Sequence, residues 1–330
     1  MTWAGSESYG LRPAPGAGRR PAVAALGGGH GLAASLQALQ PVTDRITAIV
    51  TVADDGGSSG RLREEFDILP PGDLRMALAA LCSASEWGLQ WRDALQHRFA
   101  GDGPLGGHAL GNLIIASLWD LLGDPVAGLD LVGRLLGARG RVLPVATDPV
   151  RIAASVVGAD PDEPDEVTEV VGQVRVATTA GRVLSVRLDP DPPTACPEAV
   201  QAILDADWVI LGPGSWFTSV MPHLLVPEIR EALVHTRARR MLTLNMVMNT
   251  GETTGFSASD HLEVLAAHAP DLHLDVVLAD PSVVDGDHDQ LGDTAAAMGA
   301  ELVFSPVADP DQPGTHDTLR LAAAYRDVME

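Results

Sequence analysis

The chain has 330 residues, of which 46% are hydrophobic, enough for one or two domains with a sizeable core. Lys and Arg together number 22 against 44 Asp and Glu, so the formal net charge of −22 would repel a polyanion such as DNA or RNA. Every basic residue is Arg, which excludes a phosphate-binding lysine and a Schiff-base lysine.

The amino-terminal segment, residues 1–21, is rich in Gly, Pro, Ser and Arg and lacks the apolar stretch of a signal peptide, which predicts a disordered tail. Cys82 and Cys196 lie far apart without metal-ligand spacing, so neither a disulfide framework nor a zinc site is expected. No run of 18 apolar residues occurs, which predicts no membrane span. These features predict a cytoplasmic protein with a single domain over residues 22–330.

The domain opens with a pattern of strand, glycine loop and helix. Residues 22–26 are apolar, and Gly27, Gly28, Gly29 and Gly31 follow before leucines at helical spacing. Glycines after a strand let the backbone approach a ligand closely, and the amino terminus of a helix attracts phosphate. Because the third glycine of a dinucleotide fingerprint is missing, a tight turn remains the alternative to a phosphate cradle.

A second apolar strand, residues 46–52, runs directly into an acidic loop. Asp54 and Asp55 stand at the end of this strand, where parallel sheets place their ligands, and paired carboxylates predict a Mg²⁺ site. The alternative is an ordinary turn whose serines cap a helix beginning at Arg61. The predicted ligand contacts in this loop are Asp54, Asp55, Ser58, Ser59, Gly60 and Arg61.

From residue 73 to about 137 the pattern is helical, which predicts a helical insertion that Asp73 opens as the capping residue. His108 within it is expected to be structural. Strands then return and alternate with helices, so the predicted fold is α/β, a Rossmann-like three-layer sandwich with a mostly parallel sheet. The remaining predicted strands are 142–145, 152–157, 170–176, 183–187, 208–211, 241–247, 274–278 and 301–304, with a hairpin loop at 160–166.

Two further strand ends carry candidate ligand residues. A second glycine cradle follows the strand at 208–211, which predicts a ligand with several phosphates or with a phosphate and a sugar. Asn occurs at only three positions, and two of them, Asn245 and Asn249, follow the next strand. Their amides could bind a base or sugar edge, or simply form a turn. The predicted contacts are Gly212, Gly214, Ser215, Asn245, Gly251, Glu252, Thr253 and Phe256.

Six segments in collinear order over about residues 22–320 resemble the YvcK-type gluconeogenesis factors: GGGHGL, TVADDGGSSGRLR, PPGDLR, GGHALGNL, GPGSWFTS and GETTGFSASDH. These factors form the UDP-sugar-binding branch of the superfamily that contains 2-phospho-L-lactate transferase (CofD). The resemblance implies a ligand such as UDP-N-acetylglucosamine and a role in regulating carbon flux to cell-wall precursors and cell shape. The chain departs from the family pattern in four places: His30 stands in place of Thr, Phe256 in place of Tyr and Thr315 in place of Arg, and the family's TQPGET string reads MNTGET over residues 248–253.

Three functions compete at this point. The first is a UDP-sugar sensor that passes its state to cell-wall or regulatory proteins. The second is a Mg²⁺-dependent transferase using a nucleotide-diphosphate-linked donor, for which the sequence offers no committed nucleophile. The third is an NAD-type binder, which leaves the acidic loop and the second cradle without a role. We predict the UDP-sugar sensor, and we expect Mg²⁺ but no organic cofactor and no nucleic-acid partner. The sequence is compatible with a homo-oligomer.

Overall fold

The computed structural model describes residues 19–330, apart from residues 161, 249, 250, 285 and 287. The predicted disordered tail lies outside the described residues except for its last three positions, and Asn249 lies outside them as well. No helix among the described residues has the length and apolar character needed to cross a membrane.

The described residues form ten strands, seven of which build one parallel sheet. Apolar runs without polar alternation are typical of parallel strands covered on both faces, and the first strand and the strand at 208–211 are buried throughout. The strands are β1 (Val23–Gly27), β2 (Ile46–Val50), β3 (Arg141–Pro144), β4 (Arg151–Val157), β5 (Val167–Val171), β6 (Arg182–Asp189), β7 (Trp208–Leu211), β8 (Arg239–Thr243), β9 (Val276–Ala279) and β10 (Glu301–Phe304).

The seven-stranded sheet has the order β10–β9–β8–β7–β1–β2–β3, and every neighbouring pair is parallel. Val23 in β1 pairs with Ile46 of β2 on one side and with Trp208 of β7 on the other. The chain therefore leaves β1 in one direction first and returns to its other side much later. Such a reversal of strand order opens a crevice at the carboxyl ends of the two central strands.

Helices flank the sheet, as the predicted α/β sandwich requires. α1 packs against α3 and α12, α8 against α9, and α10 against α11. Four helices, α3 to α6, occupy the predicted insertion and contact one another. The helices are α1 (Gly29–Leu39), α2 (Gly57–Phe66), α3 (Pro71–Ala80), α4 (Glu86–Gln96), α5 (Leu110–Leu122), α6 (Pro125–Leu136), α7 (Gln173–Ala177), α8 (Pro197–Leu204), α9 (Pro227–His235), α10 (Ala258–His268), α11 (His288–Ala297) and α12 (Thr318–Met329).

Strands β4, β5 and β6 form a separate antiparallel sheet in the order β5–β4–β6, which the sequence did not predict. β4 and β5 pair antiparallel, in agreement with the hairpin or loop expected between them. The predicted strand at 170–176 is wrong in its second half, because β5 ends at Val171 and α7 begins at Gln173. Gly172 between them has φ of 108°, a conformation that glycine adopts readily and that turns the chain out of the strand.

Tyr325 and His223 are polar residues whose side chains are fully buried within the apolar core. The Tyr325 hydroxyl lies 2.9 Å from Ser35 Oγ and 3.2 Å from Thr243 Oγ1, and so links α12 to α1 and β8. His223 places Nε2 3.0 Å from the Ile49 carbonyl oxygen. Burial lowers the pKa of His223 to about 4, so its imidazole is neutral at physiological pH.

Candidate functional site

A cavity of about 330 Å³ lies in the crevice at the ends of β1 and β7, and we call it the glycine-loop cavity. It brings together one residue or more from each of the two glycine loops, the end of β8 and the segment before α12. Of the predicted ligand residues, six line it. Its walls are Gly28, Gly29, His30, Gly31, Ala34, Asp73, Gln173, Gly214, Ser215, Ser219, Asn245, Gly314, Thr315 and His316.

The two glycine loops touch each other through their backbones. A Cβ atom at Gly31 would lie 2.7 Å from the Pro213 carbonyl carbon and 2.9 Å from Gly214 Cα, closer than such atoms can approach. A Cβ at Gly28 would lie 2.6 Å from Thr51 Oγ1. A side chain at Gly31 would push the loops apart, and one at Gly28 would collide with Thr51 and Asp73, so the absence of Cβ atoms here is a steric requirement of the crevice.

The amino terminus of α1 opens into this cavity. Gly28 is the capping residue and has no side chain that could bond the first amide groups of the helix. Gly29 has φ of 56°, which directs the chain from β1 into the helix. The partial positive charge of the helix end favours an anion at this point.

Asp73 is a site residue to which the sequence pattern gives a different role. The pattern predicts that it caps the first helix of the insertion, but α3 begins at Pro71 and Asp73 lies in its first turn. From there its carboxylate reaches the glycine loop and accepts hydrogen bonds from the Gly29 amide and the Thr51 hydroxyl. Burial, and then the negative charge of Asp54, raise the pKa of Asp73 to about 7. The group is therefore partly protonated near neutral pH.

The two adjacent carboxylates of the acidic loop point in different directions. Asp54 Oδ1 accepts the Gly56 amide at 2.9 Å, and its charge acts on Asp73. Asp55 Oδ1 instead accepts the Val174 amide at 3.0 Å and so holds the first turn of α7. The structure thus groups Asp54 with Asp73, whereas Asp55 ties the acidic loop to α7.

A divalent cation fits this pair only with help from a ligand. Among the described residues no three His, Cys, Asp or Glu side chains come together as a protein-only metal site would require. Mg²⁺ is commonly held by one or two carboxylates together with phosphate oxygens and water. Asp54 and Asp73 would be the protein part of such a set.

Helix α2 begins at Gly57, four residues earlier than the alternative interpretation of the acidic loop, in which its serines cap a helix from Arg61. Ser58 lies inside it and belongs to a buried network rather than to the cavity wall. Its hydroxyl accepts Asn112 Nδ2 at 3.0 Å and lies 3.0 Å from His108 Nδ1. Burial lowers the pKa of His108.

The network continues from Asn112 to Arg75, whose Nε donates to Asn112 Oδ1 at 2.8 Å. It fastens α2 to α3 and α5, and so holds the acidic loop on the helical insertion. Ser59 is buried next to Gly72, and Arg61 donates to the Gly106 carbonyl oxygen at 2.8 Å. The residues from Ser58 to Arg61 therefore shape the loop without lining the glycine-loop cavity.

The segment after β8 supports the second cradle from behind. Glu252 Oε1 accepts the Phe217 amide at 2.9 Å, which holds the π-helical turn Trp216–Val220 that follows Ser215. Burial raises the pKa of Glu252 to about 7, and its Oε2 has no hydrogen-bond partner among the described residues. Phe256 packs edge-on against Phe217, with ring centroids 5.9 Å apart.

Several cavity residues are missed by sequence reasoning. Gln173 comes from α7, where the pattern predicts a strand, and its buried Oε1 has no partner among the described residues. Thr315 and His316 arrive from the segment before α12, where His316 Nε2 lies 3.2 Å from the Leu244 carbonyl oxygen. Ser219 stands within the GPGSWFTS string, so the motif itself was the available signal.

Comparisons with known proteins agree on one family. The sequence model described as "2-phospho-L-lactate transferase CofD" matches residues 23–303. A putative gluconeogenesis factor of Mycobacterium tuberculosis is 53% identical over 308 residues, which cover 93% of this chain and 90% of that protein. The gluconeogenesis factor of Bacillus subtilis is 35% identical over 95% of this chain and 99% of that protein. A crystal structure of a UPF0052-family protein from Bacillus halodurans superposes with a TM-score of 0.80 at 34% identity, and the match covers 94% of this chain and 99% of that chain.

Proposed function

Because the chain belongs to the CofD family and, within it, to the gluconeogenesis factors, we propose that it binds a UDP-sugar such as UDP-N-acetylglucosamine in the glycine-loop cavity. We propose further that this binding serves a regulatory role in the cytoplasm, in which the bound state controls carbon flux to cell-wall precursors and cell shape. Cell-wall enzymes or regulatory proteins would be the partners that respond to the bound state.

The observation that carries the proposal is the meeting of two glycine loops at one cavity. Each loop follows a parallel strand, and the helix end at Gly29 favours an anion. Two backbone cradles in contact suit two linked phosphates better than one. Asn245 on the same wall offers an amide to a sugar or base. The cavity volume falls in the range of pockets for small molecules.

Charge compensation is the main physical difficulty for a diphosphate here, because the chain carries a net charge of −22. Asp54 and Asp73 are the residues that would hold Mg²⁺ together with the phosphates. When bound, the cation neutralises the charge of the diphosphate. Asp55, which the sequence pattern also assigned to the metal, has its carboxylate committed to Val174 and is expected to act on the fold of the loop.

A transferase is the second candidate, and the match to the family model of 2-phospho-L-lactate transferase is the observation that favours it. Asp54 would then hold Mg²⁺ on a nucleotide-diphosphate-linked donor, while the amide groups of the glycine loops stabilise charge that develops on the transferred group. The two candidates differ in the nucleotide that binds and in whether a product forms. One titration series therefore separates them.

The test is calorimetric titration of the purified protein with UDP-N-acetylglucosamine, UDP-glucose, GDP and NAD, each with and without Mg²⁺. We expect UDP-sugar binding that Gly31→Ala weakens at least about tenfold, because the new Cβ separates the two loops. Gly103→Ala is the matched control, since nothing lies within 4 Å of its Cβ position. Binding of GDP alone, with turnover, would favour the transferase, and binding of NAD alone would contradict both.

A pair of acidic variants tests the assignment of the metal. Asp54→Asn is expected to abolish the Mg²⁺-dependent part of binding while the thermal midpoint without ligand stays near that of the wild type. Asp55→Asn is expected to keep the Mg²⁺ dependence and lower the thermal midpoint, because Val174 loses a charged acceptor. Mg²⁺-dependent binding that survives Asp54→Asn unchanged would remove the metal from the proposal without touching the UDP-sugar.

A further inference from the structure

A second and larger cavity, of about 660 Å³, lies between α2 and the antiparallel sheet. We call it the arginine cavity because Arg63 of α2 and Arg151 of β4 both line it. It shares no lining residue with the glycine-loop cavity. Gly172 borders the arginine cavity and the next residue, Gln173, borders the glycine-loop cavity, so the start of α7 separates the two spaces.

Arg63 is a buried charged residue in the wall of the arginine cavity. Its side chain is 8% exposed, and its buried Nη1 has no hydrogen-bond partner among the described residues. Neither Arg63 nor Arg151 forms an ion pair with any carboxylate in the described part of the chain. Burial, and then the positive charge of Arg151, lower the pKa of Arg63.

An unpaired buried guanidinium is costly, because arginine stays charged and its donors lose water without gaining an acceptor. A charged donor left in this way destabilises the folded protein until an acceptor reaches it. Nearby carboxylates at Asp54, Asp55 and Asp67 offset part of the charge through space but do not satisfy Nη1. An oxyanion in the cavity would provide the missing acceptor, and a planar guanidinium binds phosphate oxygens in a forked geometry.

The other charged residues of the wall narrow the class of ligand. Four carboxylates also line the arginine cavity, so a polyanion would be repelled by its acidic side: Asp55, Glu64, Asp67 and Asp189. Carboxylates accept hydrogen bonds well from hydroxyl groups. We infer that the arginine cavity is a second binding site, for a small phosphate monoester that carries several hydroxyl groups. Arg63 and Arg151 bind its phosphate, and the carboxylates accept its hydroxyls.

The probe for this site is glucose 6-phosphate, with inorganic phosphate and glucose as its two separate halves. Each is titrated into the full chain, with and without saturating UDP-N-acetylglucosamine. We expect binding of glucose 6-phosphate that is tighter than that of inorganic phosphate, and no binding of glucose alone. Arg63→Gln and Arg151→Gln are each expected to weaken it by about tenfold or more. Arg326→Gln, an exposed position on α12, is the matched control and should leave it unchanged.

Several outcomes would overturn the inference. The first is the absence of binding by both phosphate probes. The second is binding that both arginine variants leave unchanged. The third is binding that Gly31→Ala abolishes and the arginine variants do not, which would place the phosphate in the glycine-loop cavity. Arg151 lies at the exposed start of β4, so its variant keeps the test decisive if Arg63→Gln fails to fold. UDP-sugar binding is measured separately and can fail or succeed independently.

Discussion

Replacing Asp73 by Asn should make the free energy of unfolding less dependent on pH. The pKa of Asp73 rises from 3.8, its usual value, to about 7 on folding, because the carboxylate is buried beside Asp54. Between these two values the folded protein keeps a proton that the unfolded chain has lost, so the stability of the wild type falls as pH rises. The amide that replaces the carboxyl group in Asp73→Asn does not titrate, so the free energy of unfolding of the variant does not fall with pH for this reason.

The magnitude follows from the two pKa values of Asp73. Each pKa unit of difference corresponds to 1.36 kcal/mol, so above pH 7 the free energy of unfolding of the wild type is about 4 kcal/mol lower than at acid pH. The amide can keep one of the hydrogen bonds from Gly29 and Thr51, and losing the other costs about 1 kcal/mol at every pH. The difference between variant and wild type is therefore expected to grow by about 3 kcal/mol from pH 5 to pH 8.

The assay is urea unfolding of both proteins at several pH values from 5 to 9, without ligand. Asp327→Asn, an exposed position on α12, is the control and should not change the pH dependence. Glu252 has its pKa raised to about 7 by burial as well, so Glu252→Gln should remove a second, similar contribution. A difference between Asp73→Asn and the wild type that stays constant across this range would refute the reasoning.

Two further predictions concern buried polar groups of the core. Burial lowers the pKa of His223 to about 4, so the free energy of unfolding of the wild type falls by about 3 kcal/mol as pH falls from 6.5 to 4. In urea unfolding over that range, the free energy of unfolding of His223→Gln should fall by less. An equal fall in the free energy of unfolding of His223→Gln and of the wild type would contradict this prediction. Tyr325→Phe removes the hydroxyl that joins Ser35 and Thr243, and should cost about 1–2 kcal/mol in urea unfolding with UDP-sugar affinity unchanged. Unchanged stability would show that these hydrogen bonds contribute nothing.

Periodicity and glycine patterns predict the parallel sheet well. The strands at 208–211 and 301–304 have the predicted bounds, because each is a short apolar segment between clear turn signals. The same patterns do not identify the antiparallel sheet as a separate layer. Alternating valines suit both strand and helix at 170–176, and only the backbone at Gly172 decides where one ends.

The composition of the candidate site is predicted less completely than its position. Glycine loops at strand ends identify the crevice from sequence, since strand order brings them together. Asp73 and Gln173 enter the cavity from α3 and α7, so their contribution depends on long-range packing that no local pattern contains. Asp54 and Asp55 are neighbours in sequence, yet adjacent side chains diverge, and only the partners at Gly56 and Val174 distinguish them.

The position of β1 in the middle of the sheet has a consequence for how the protein folds. Residues at the start of β1 and of β7 that contact each other are separated by 185 positions in the chain, as the hydrogen bond from Ala22 to Asp207 illustrates. Contacts of such high sequence separation form late, since closing a long loop costs entropy before any contact repays it. The glycine-loop cavity lies on this seam between the amino-terminal and carboxyl-terminal halves of the sheet. A nascent chain therefore has no complete cavity until both halves have docked, and a ligand that binds there selects the fully folded protein over any half-assembled intermediate.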